Sequence, residues 1–433
     1  MDERRLRAKT RAAMRRVIKY GGTSLATPAH FERAARALAS MVDMGEQIAV
    51  VVSAMEGETD RLIEGLTEAG GGHVDGRTQL EFLSLGEEKS VLMMVAALQA
   101  QKVTAVPFLP RRSQTWPLVV DSDDASPISP IRTNEERDFT VRTQKTANRF
   151  TRNVLPLLRL GQVPVLAGFT ALSSRDELVT FGRGGSDVTA VIVADFIDAD
   201  EVVLVTDVSG VMSADPRLAE NPRLLDNISL EDAYALASAG VQVIHPRCLK
   251  LKPPTLKVRV VDFNAQEELS RSGTTIEGET QPTVYRNEIP LAVLSVVGSG
   301  WANRAGLLAR LMAILGDASI PVAATSASSH SATFYLDEKL GERAHHLLHD
   351  LVLAEPETFT SISLRGGVGE LRVRLGAVAD ARDVLAGITQ FLAHRRISVV
   401  ELITVLSEIN IYLPWNDLEA AHEGLLKLLR TYF

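Results

Sequence analysis

The sequence holds a single cysteine, Cys248, in 433 residues. One thiol makes no internal disulfide and no thiolate cluster for structural zinc, which fits a reducing compartment, so a cytoplasmic location is expected. Aromatic residues are scarce at 5%, and no apolar run reaches the ~20 residues of a membrane span. Positive charge is also short. Against 54 Asp and Glu stand 46 Lys and Arg, a net charge of −8, whereas nucleic-acid binders present a basic face. A small anionic ligand stays open, because a site needs only local positive charge. Residues 1–16 are rich in Arg and Lys but lack the apolar stretch of a signal peptide, and are expected to form a disordered extension.

What the chain does have is alternation. Val17 to Tyr20 and Gln47 to Ser53 read as buried strands, and between them His30 to Met44 carries Phe31, Ala34, Ala35, Leu38 and Val42 at helical spacing. Strands follow at Val163–Phe169, Glu201–Thr206 and Lys257–Asp262, with helices at Asp187–Asp198 and Leu230–Ala239 between them. This predicts an α/β domain over 17–282, a mostly parallel sheet covered on both faces in an αβα sandwich. Beyond it the order changes to β-α-β-β-α, twice, which predicts two ferredoxin-like modules over 285–360 and 361–433, with Gly366–Gly369 between their strand patterns. The polar stretch Asp121–Arg137 reads as a long loop, either a lid or a plain surface insertion.

Several segments carry residues suited to chemistry. KYGGTS, Lys19 to Ser24, stands where a strand gives way to a helix. Paired glycines let backbone N–H groups approach phosphate oxygens, and Lys19 adds a point charge; an ordinary tight turn is the other reading. FGRGGSD, Phe181 to Asp187, opens a helix with a second glycine pair, and Arg183 offers a fork for a carboxylate. Helix capping needs only one of these residues. TDVSGVMSADPR, Thr206 to Arg217, follows a strand, where ligands sit in open α/β sheets. LSLGEEKS, Leu83 to Ser90, reads as a helix start, at which Glu87 alone would merely complement the helix dipole. His245 in HPR has no metal-ligand partner at helical spacing and reads as structural, and no metal-binding residues are assigned.

Taken together, KYGGTS, VSAM…TDRL, LSLGEEKS, GFT, FGRGGSD, TDVSGV…DPR and GVQVIHPR, in this order, resemble the aspartate kinases of the amino-acid kinase superfamily, and the tail resembles their paired ACT modules. The resemblance spans nearly everything after residue 16. It implies ATP-dependent phosphorylation of the side-chain carboxylate of L-aspartate or a similar acidic amino acid, with Mg²⁺. Lys19, Gly21 and Gly22 would hold the transferring phosphate, with Asp187 orienting Lys19 and Thr23, Ser24, Gly185 and Ser186 completing the cradles. Arg183 and Glu87 would grip the α-carboxylate and α-ammonium, or Arg183 the other carboxylate, while Ser53 and Thr59 line the acceptor pocket. Thr206, Asp207, Asp215, Arg217 and Gln242 would receive the nucleotide. The resemblance also implies an amino-acid effector at the ACT modules and a homodimer through them, with no nucleic acid or membrane partner.

The chain departs from the family pattern at Tyr20, usually Phe, at Met212, usually Tyr, and at Gln242, commonly Lys. The last replaces an ammonium near polyphosphate by a neutral amide, roughly 1.5–3 kcal/mol of charge-assisted contact. Ala323 and Ser329 stand where lysine-sensitive members tend to have carboxylates, which argues against lysine as effector. Two alternatives follow from these departures: a paralogue acting on another acidic amino acid, and a catalytically weak amino-acid sensor.

Overall fold

The computed structural model describes residues 13–70, 73–122, 139–141, 143–182, 184–215, 218–238, 244–269, 272–278, 283–298, 305–374, 381–405 and 408–430. They form two compact units, 1–280 and 281–433. In the first unit β1 (Arg15–Tyr20), α1 (Pro28–Asp43) and β2 (Gln47–Val52) follow as the apolar spacing predicts. α2 (Glu58–Gly70) and α3 (Gly76–Ala100) lead to β3 (Ala105–Phe108). The hairpin of β4 (Val120–Ser122) and β5 (Phe139–Val141) brackets the polar stretch, whose residues 123–137 lie outside the described residues. A helical run, α4 (Thr143–Arg149), a π turn at Phe150–Val154 and α5 (Leu155–Arg159), precedes β6 (Val163–Ala167) and the hairpin of β7 (Thr170–Leu172) and β8 (Leu178–Thr180). Then come α6 (Gly185–Phe196), β9 (Glu201–Thr206), β10 (Asn227–Ser229), α7 (Leu230–Ser238), α8 (Pro246–Lys250), β11 (Lys257–Asp262) and β12 (Thr274–Glu277).

The strands build one eight-stranded sheet in the order β10-β12-β11-β9-β1-β2-β6-β3, parallel except between β11 and β12. The central strands are buried on both faces, which is why they read as continuous apolar runs. Tyr20 lies level with Val52 of β2 and Val205 of β9, Val52 with Ala167 of β6, and Thr206 with Asp262 of β11. The carboxyl ends of five strands therefore line one rim, where an open α/β sheet presents its ligand loops.

At the opposite rim the structure corrects one expectation. β1 begins at Arg15, so Arg15 and Arg16 belong to the sheet rather than to a disordered extension; residues 1–12 lie outside the described residues. Arg16 is buried between Glu46 and Glu201, its Nε 2.8 Å from Glu201 Oε2, and Arg259 bonds the same carboxylate at 2.9 and 2.7 Å. These charges tolerate burial because each is paired. A second correction concerns α3. Asp75 caps it by accepting from the N–H groups of Arg77 and Thr78, so the helix begins before Leu83 and Glu87 sits in its interior, away from the terminal dipole.

In the second unit β13 (Thr283–Arg286), β14 (Leu291–Val297), α9 (Leu307–Asp317), β15 (Ala324–Ala327), β16 (Ser331–Asp337) and α10 (Gly341–Ala354) precede β17 (Ser361–Arg374). After it come α11 (Ala381–His394), β18 (Glu401–Val405), β19 (Glu408–Pro414) and α12 (Leu418–Leu429). The antiparallel sheet runs β15-β16-β14-β17-β19-β18, with β13 beside β17. Each half covers its own apolar core. Gly366–Gly369, expected between the two strand patterns, instead lie within β17, which serves both halves: residues 361–368 pair with β14 and 368–374 with β19. Gly367 has φ +67°, next to a register shift opposite Leu291 and Val293, so the glycines supply a bulge that bends one continuous strand.

Candidate active site

The rim loops converge on Lys19. After Tyr20, Gly21 donates its N–H to Val205 O at 3.2 Å, and the Gly22 carbonyl accepts from Glu56 N at 3.1 Å, so the turn is stitched to the end of β9 and to the loop after β2. A Cβ on Gly22 would lie 2.9 Å from Ala54 O; only glycine fits. A short 3₁₀ turn, Thr23–Leu25, separates the glycines from α1, so the helix dipole acts from farther off than the sequence implies. Ser24 is buried and its hydroxyl donates to Val205 O at 3.3 Å, which makes it a tether of the turn and not a surface ligand, while Thr23 is exposed.

On the facing loop Gly184 takes φ +70° and starts α6, whose first turn holds Ser186 and Asp187. Lys19 Nζ stands 2.7 Å from Asp187 Oδ1, with both side chains about 15% exposed (14% and 15%). This is a charge contact and not a directed hydrogen bond, since Oδ1 has no hydrogen-bond partner. The ammonium also lies beside the glycine turn, 3.5 Å from where a Cβ on Gly21 would be. Ser186 packs on Gly168 of the GFT segment, where a Cβ would come within 2.5 Å of its hydroxyl, and Gly168 N bonds Val52 O at 2.8 Å. The two glycine loops are thus locked to each other across β2 and β6.

Glu87 reaches the same rim from α3. It is 6% exposed and accepts a backbone hydrogen bond from Ala54, the residue against which Gly22 packs. Burial pushes its carboxyl up to about 8, with the neighbouring Glu88 adding to the rise. Glu88 is buried and paired with Arg111 at 2.7 Å. Ser53 is half-buried at the end of β2, and Thr59 is exposed in the first turn of α2. At the β9 and β11 end of the rim, Thr206 donates to Asp207 at 3.1 Å, Ser209 to Asp262 at 3.1 Å, and the Asp215 carbonyl accepts from Leu218 and Ala219. Arg183, Arg217 and Gln242 lie outside the described residues.

Sequence reasoning missed the partner of the glycine loop. Arg247 Nη1 donates to Phe181 O at 2.8 Å, and the His245 ring fills the space over Gly184, where a Cβ would come within 2.3 Å of its Cγ. His245 Nδ1 also caps α8 by accepting from Arg247 N at 3.4 Å. The structural reading of His245 therefore has a specific content: the HPR segment clamps the FGRGGSD loop. The signal was the motif itself, which carries an arginine right after a helix-starting proline. Beneath the site Cys248 is fully buried, and burial together with the Asp187 charge holds its thiol up.

Comparison with known proteins agrees with this geometry. The model of the amino acid kinase family matches residues 14–262, and that of an ACT domain matches 294–351. The aspartokinase of Rickettsia prowazekii is 31% identical over 239 residues, 54% of this chain and 49% of that protein. The chain spans about half the length of the curated relatives it matches. Among solved structures, aspartate kinase from Synechocystis aligns with a TM-score of 0.70 at 21% identity, over 96% of this chain and 69% of that one. E. coli aspartokinase III, solved with aspartate and ADP, aligns at 0.51 and 22% identity, over 96% and 99%. At these identities the structures establish the fold. With a family match over more than half of its length, a level strand rim and two interlocked glycine loops, this chain belongs to the amino acid kinase family.

Proposed function

We propose that the chain transfers the γ-phosphoryl group of ATP to the side-chain carboxylate of L-aspartate, forming an acyl phosphate. The observation that carries this reading is the Lys19–Asp187 pair, held at 2.7 Å between two glycine loops on the strand rim. A carboxylate acceptor has a pKa near ~3.9 and is already ionised at neutral pH, so no general base is required. Its oxygen forms the new bond to the γ-phosphorus, the bond to the β–γ bridging oxygen breaks, and ADP leaves with that electron pair. What the protein must supply is charge neutralisation and alignment. Lys19 would face the transferring phosphoryl group, with Asp187 fixing its ammonium and the Gly21–Gly22 turn giving close approach.

Glu87 would receive the substrate's α-ammonium. A buried carboxyl raised to about 8 lacks a cation, and an ammonium beside it would restore the charged form. Arg183 would take a carboxylate, with Ser53 and Thr59 at the acceptor pocket. Gly185 and Ser186 would complete the phosphate cradle, and Thr206, Asp207, Asp215, Arg217 and Gln242 would receive the nucleotide. Mg²⁺ would arrive on the triphosphate, where it neutralises phosphate charge. Mg²⁺ characteristically keeps waters and phosphate oxygens as ligands and takes few from the protein. A cytoplasmic homodimer, joined and regulated through the second unit by an amino acid, completes the proposal. No described helix is long and apolar enough to cross a membrane. Ser329 spends its hydroxyl on His330 at 2.7 Å, and Ala323 has no polar side chain, so neither offers a lysine ammonium a carboxylate.

The test is a survey of acceptors with ATP and Mg²⁺, trapping acyl phosphate as the hydroxamate alongside ADP release. L-Aspartate should give the highest kcat/KM. A better rate with another acidic amino acid transfers the proposal to that acceptor, and silence with all of them ends it.

A further inference from the structure

On the second unit a cleft of about 410 Å³ is lined by Tyr285, Arg286, Asn287, Glu370, Arg372 and Arg374. We propose that this cleft is a binding site for a small dianion, a dicarboxylate or a phosphate, and that it selects against zwitterionic amino acids. The proposal stands apart from the reaction proposed above, since none of its residues belongs to the kinase unit.

Strand periodicity makes the site. Leu371 and Val373 enter the apolar core, so Glu370, Arg372 and Arg374 share the other face of β17. The antiparallel register sets Tyr285 opposite Arg372 and Thr283 opposite Arg374. Arg374 lies over the Tyr285 ring at 5.1 Å, with its Nε bonded to Glu408 at 2.7 Å, so its plane is fixed. Arg286 contacts Glu419 at 3.2 Å. Arg372 is held most loosely, with Nη2 3.4 Å from Glu370 Oε2, and that fork has donors left to give.

The floor is rigid and its acceptors are committed. Glu370 Oε1 accepts from Tyr412 at 3.1 Å, and the Glu370 backbone exchanges bonds of 2.7 and 3.2 Å with Asn287. Asn287 Nδ2 donates to Ile289 O at 2.6 Å. The lining thus carries three guanidinium groups and one carboxylate that is already bonded, while Glu408 and Glu419, outside the lining, are taken up by Arg374 and Arg286. Such a surface offers donors to an oxyanion through planar forks, yet holds no spare carboxylate for an ammonium. A volume of this size suits a small molecule and is too small for a protein segment.

Isothermal titration of succinate, inorganic phosphate and glycine into the full chain tests the proposal, with Arg372→Gln, the double variant Arg372→Gln/Arg374→Gln, and Arg310→Gln as a remote control. Any anion binding in the kinase unit is common to all variants and drops out of the comparison. Succinate or phosphate should bind saturably, and which of them does so identifies the anion. Affinity should fall about tenfold or more on loss of one charge-assisted fork. Arg310→Gln should match wild type and glycine should give no heat. If the double variant fails to fold, judged by its unfolding midpoint, Arg372→Gln alone decides. Binding of neither dianion, an isotherm left unchanged by Arg372→Gln, or competition by glycine would overturn the site.

Discussion

The carboxyl of Glu87 gives the sharpest test of how the site is tuned. Burial raises it from 4.5 to about 8. Below pH ~4.5 it is protonated in both the folded and the unfolded chain and contributes no pH dependence. Between pH 4.5 and 8 the unfolded carboxyl ionises while the folded one keeps its proton, so stability falls as pH rises, and the loss is complete once pH passes the folded value. Each unit is worth ~1.4 kcal/mol, which sets a ceiling of about 5 kcal/mol over the interval. Glu87→Gln keeps the shape and removes the titration. Urea unfolding of both proteins from pH 5 to 8.5 should show the stability of Glu87→Gln, relative to wild type, growing by a few kcal/mol toward alkaline pH. A difference that stays flat across that range would refute the reasoning. The same linkage predicts that L-aspartate binding at pH 7 releases a proton, because an ammonium beside Glu87 favours its ionised form. The calorimetric enthalpy should then depend on the buffer's ionisation enthalpy in wild type and not in Glu87→Gln.

Two further substitutions probe the loops. Gly22→Ala forces a methyl to within 2.9 Å of Ala54 O and must displace the turn; since misplacement by about 1 Å can lower a rate about 10²-fold, kcat should drop while the unfolding midpoint changes little. Arg247→Ala removes the bond to Phe181 O, a charge-assisted contact of roughly 1.5–3 kcal/mol. It should raise the KM for the acceptor more than that for ATP, because the clamped loop carries Arg183. Arg247→Lys, with one donor in place of a fork, should recover part of the loss, whereas a general stability defect would move both KM values together.

The sheet was legible because its central strands are buried on both faces and bounded by turns: β9 and β11 fall where apolar runs predict them. Misreadings arose where tertiary contacts override local pattern. Arg15 and Arg16 look like a basic tail, but the partners that admit Arg16 to a strand, Glu46 and Glu201, are remote in sequence. The glycines at 366–369 punctuate the chain locally, yet in the sheet they bend a single strand. Glu87 seemed an end-of-helix charge because the cap at Asp75 lies twelve residues earlier, before any apolar repeat. The Lys19–Asp187 pairing was reached through family resemblance, since 168 positions separate the two residues and no local rule joins them. The HPR motif marks the segment, but its clamp on Gly184 depends on where α8 packs against α6, which no local pattern gives.

The most direct test of the central claim is phosphoryl transfer by Lys19→Ala, with nucleotide binding followed in parallel. If Lys19 neutralises the transferring phosphoryl group, hydroxamate formation from L-aspartate should fall about 10²–10³-fold, the loss expected for one preorganised donor, while ADP still binds and the fold persists. Wild-type turnover in the folded Lys19→Ala chain would contradict the account, because the Lys19–Asp187 pair would then be architecture and not machinery.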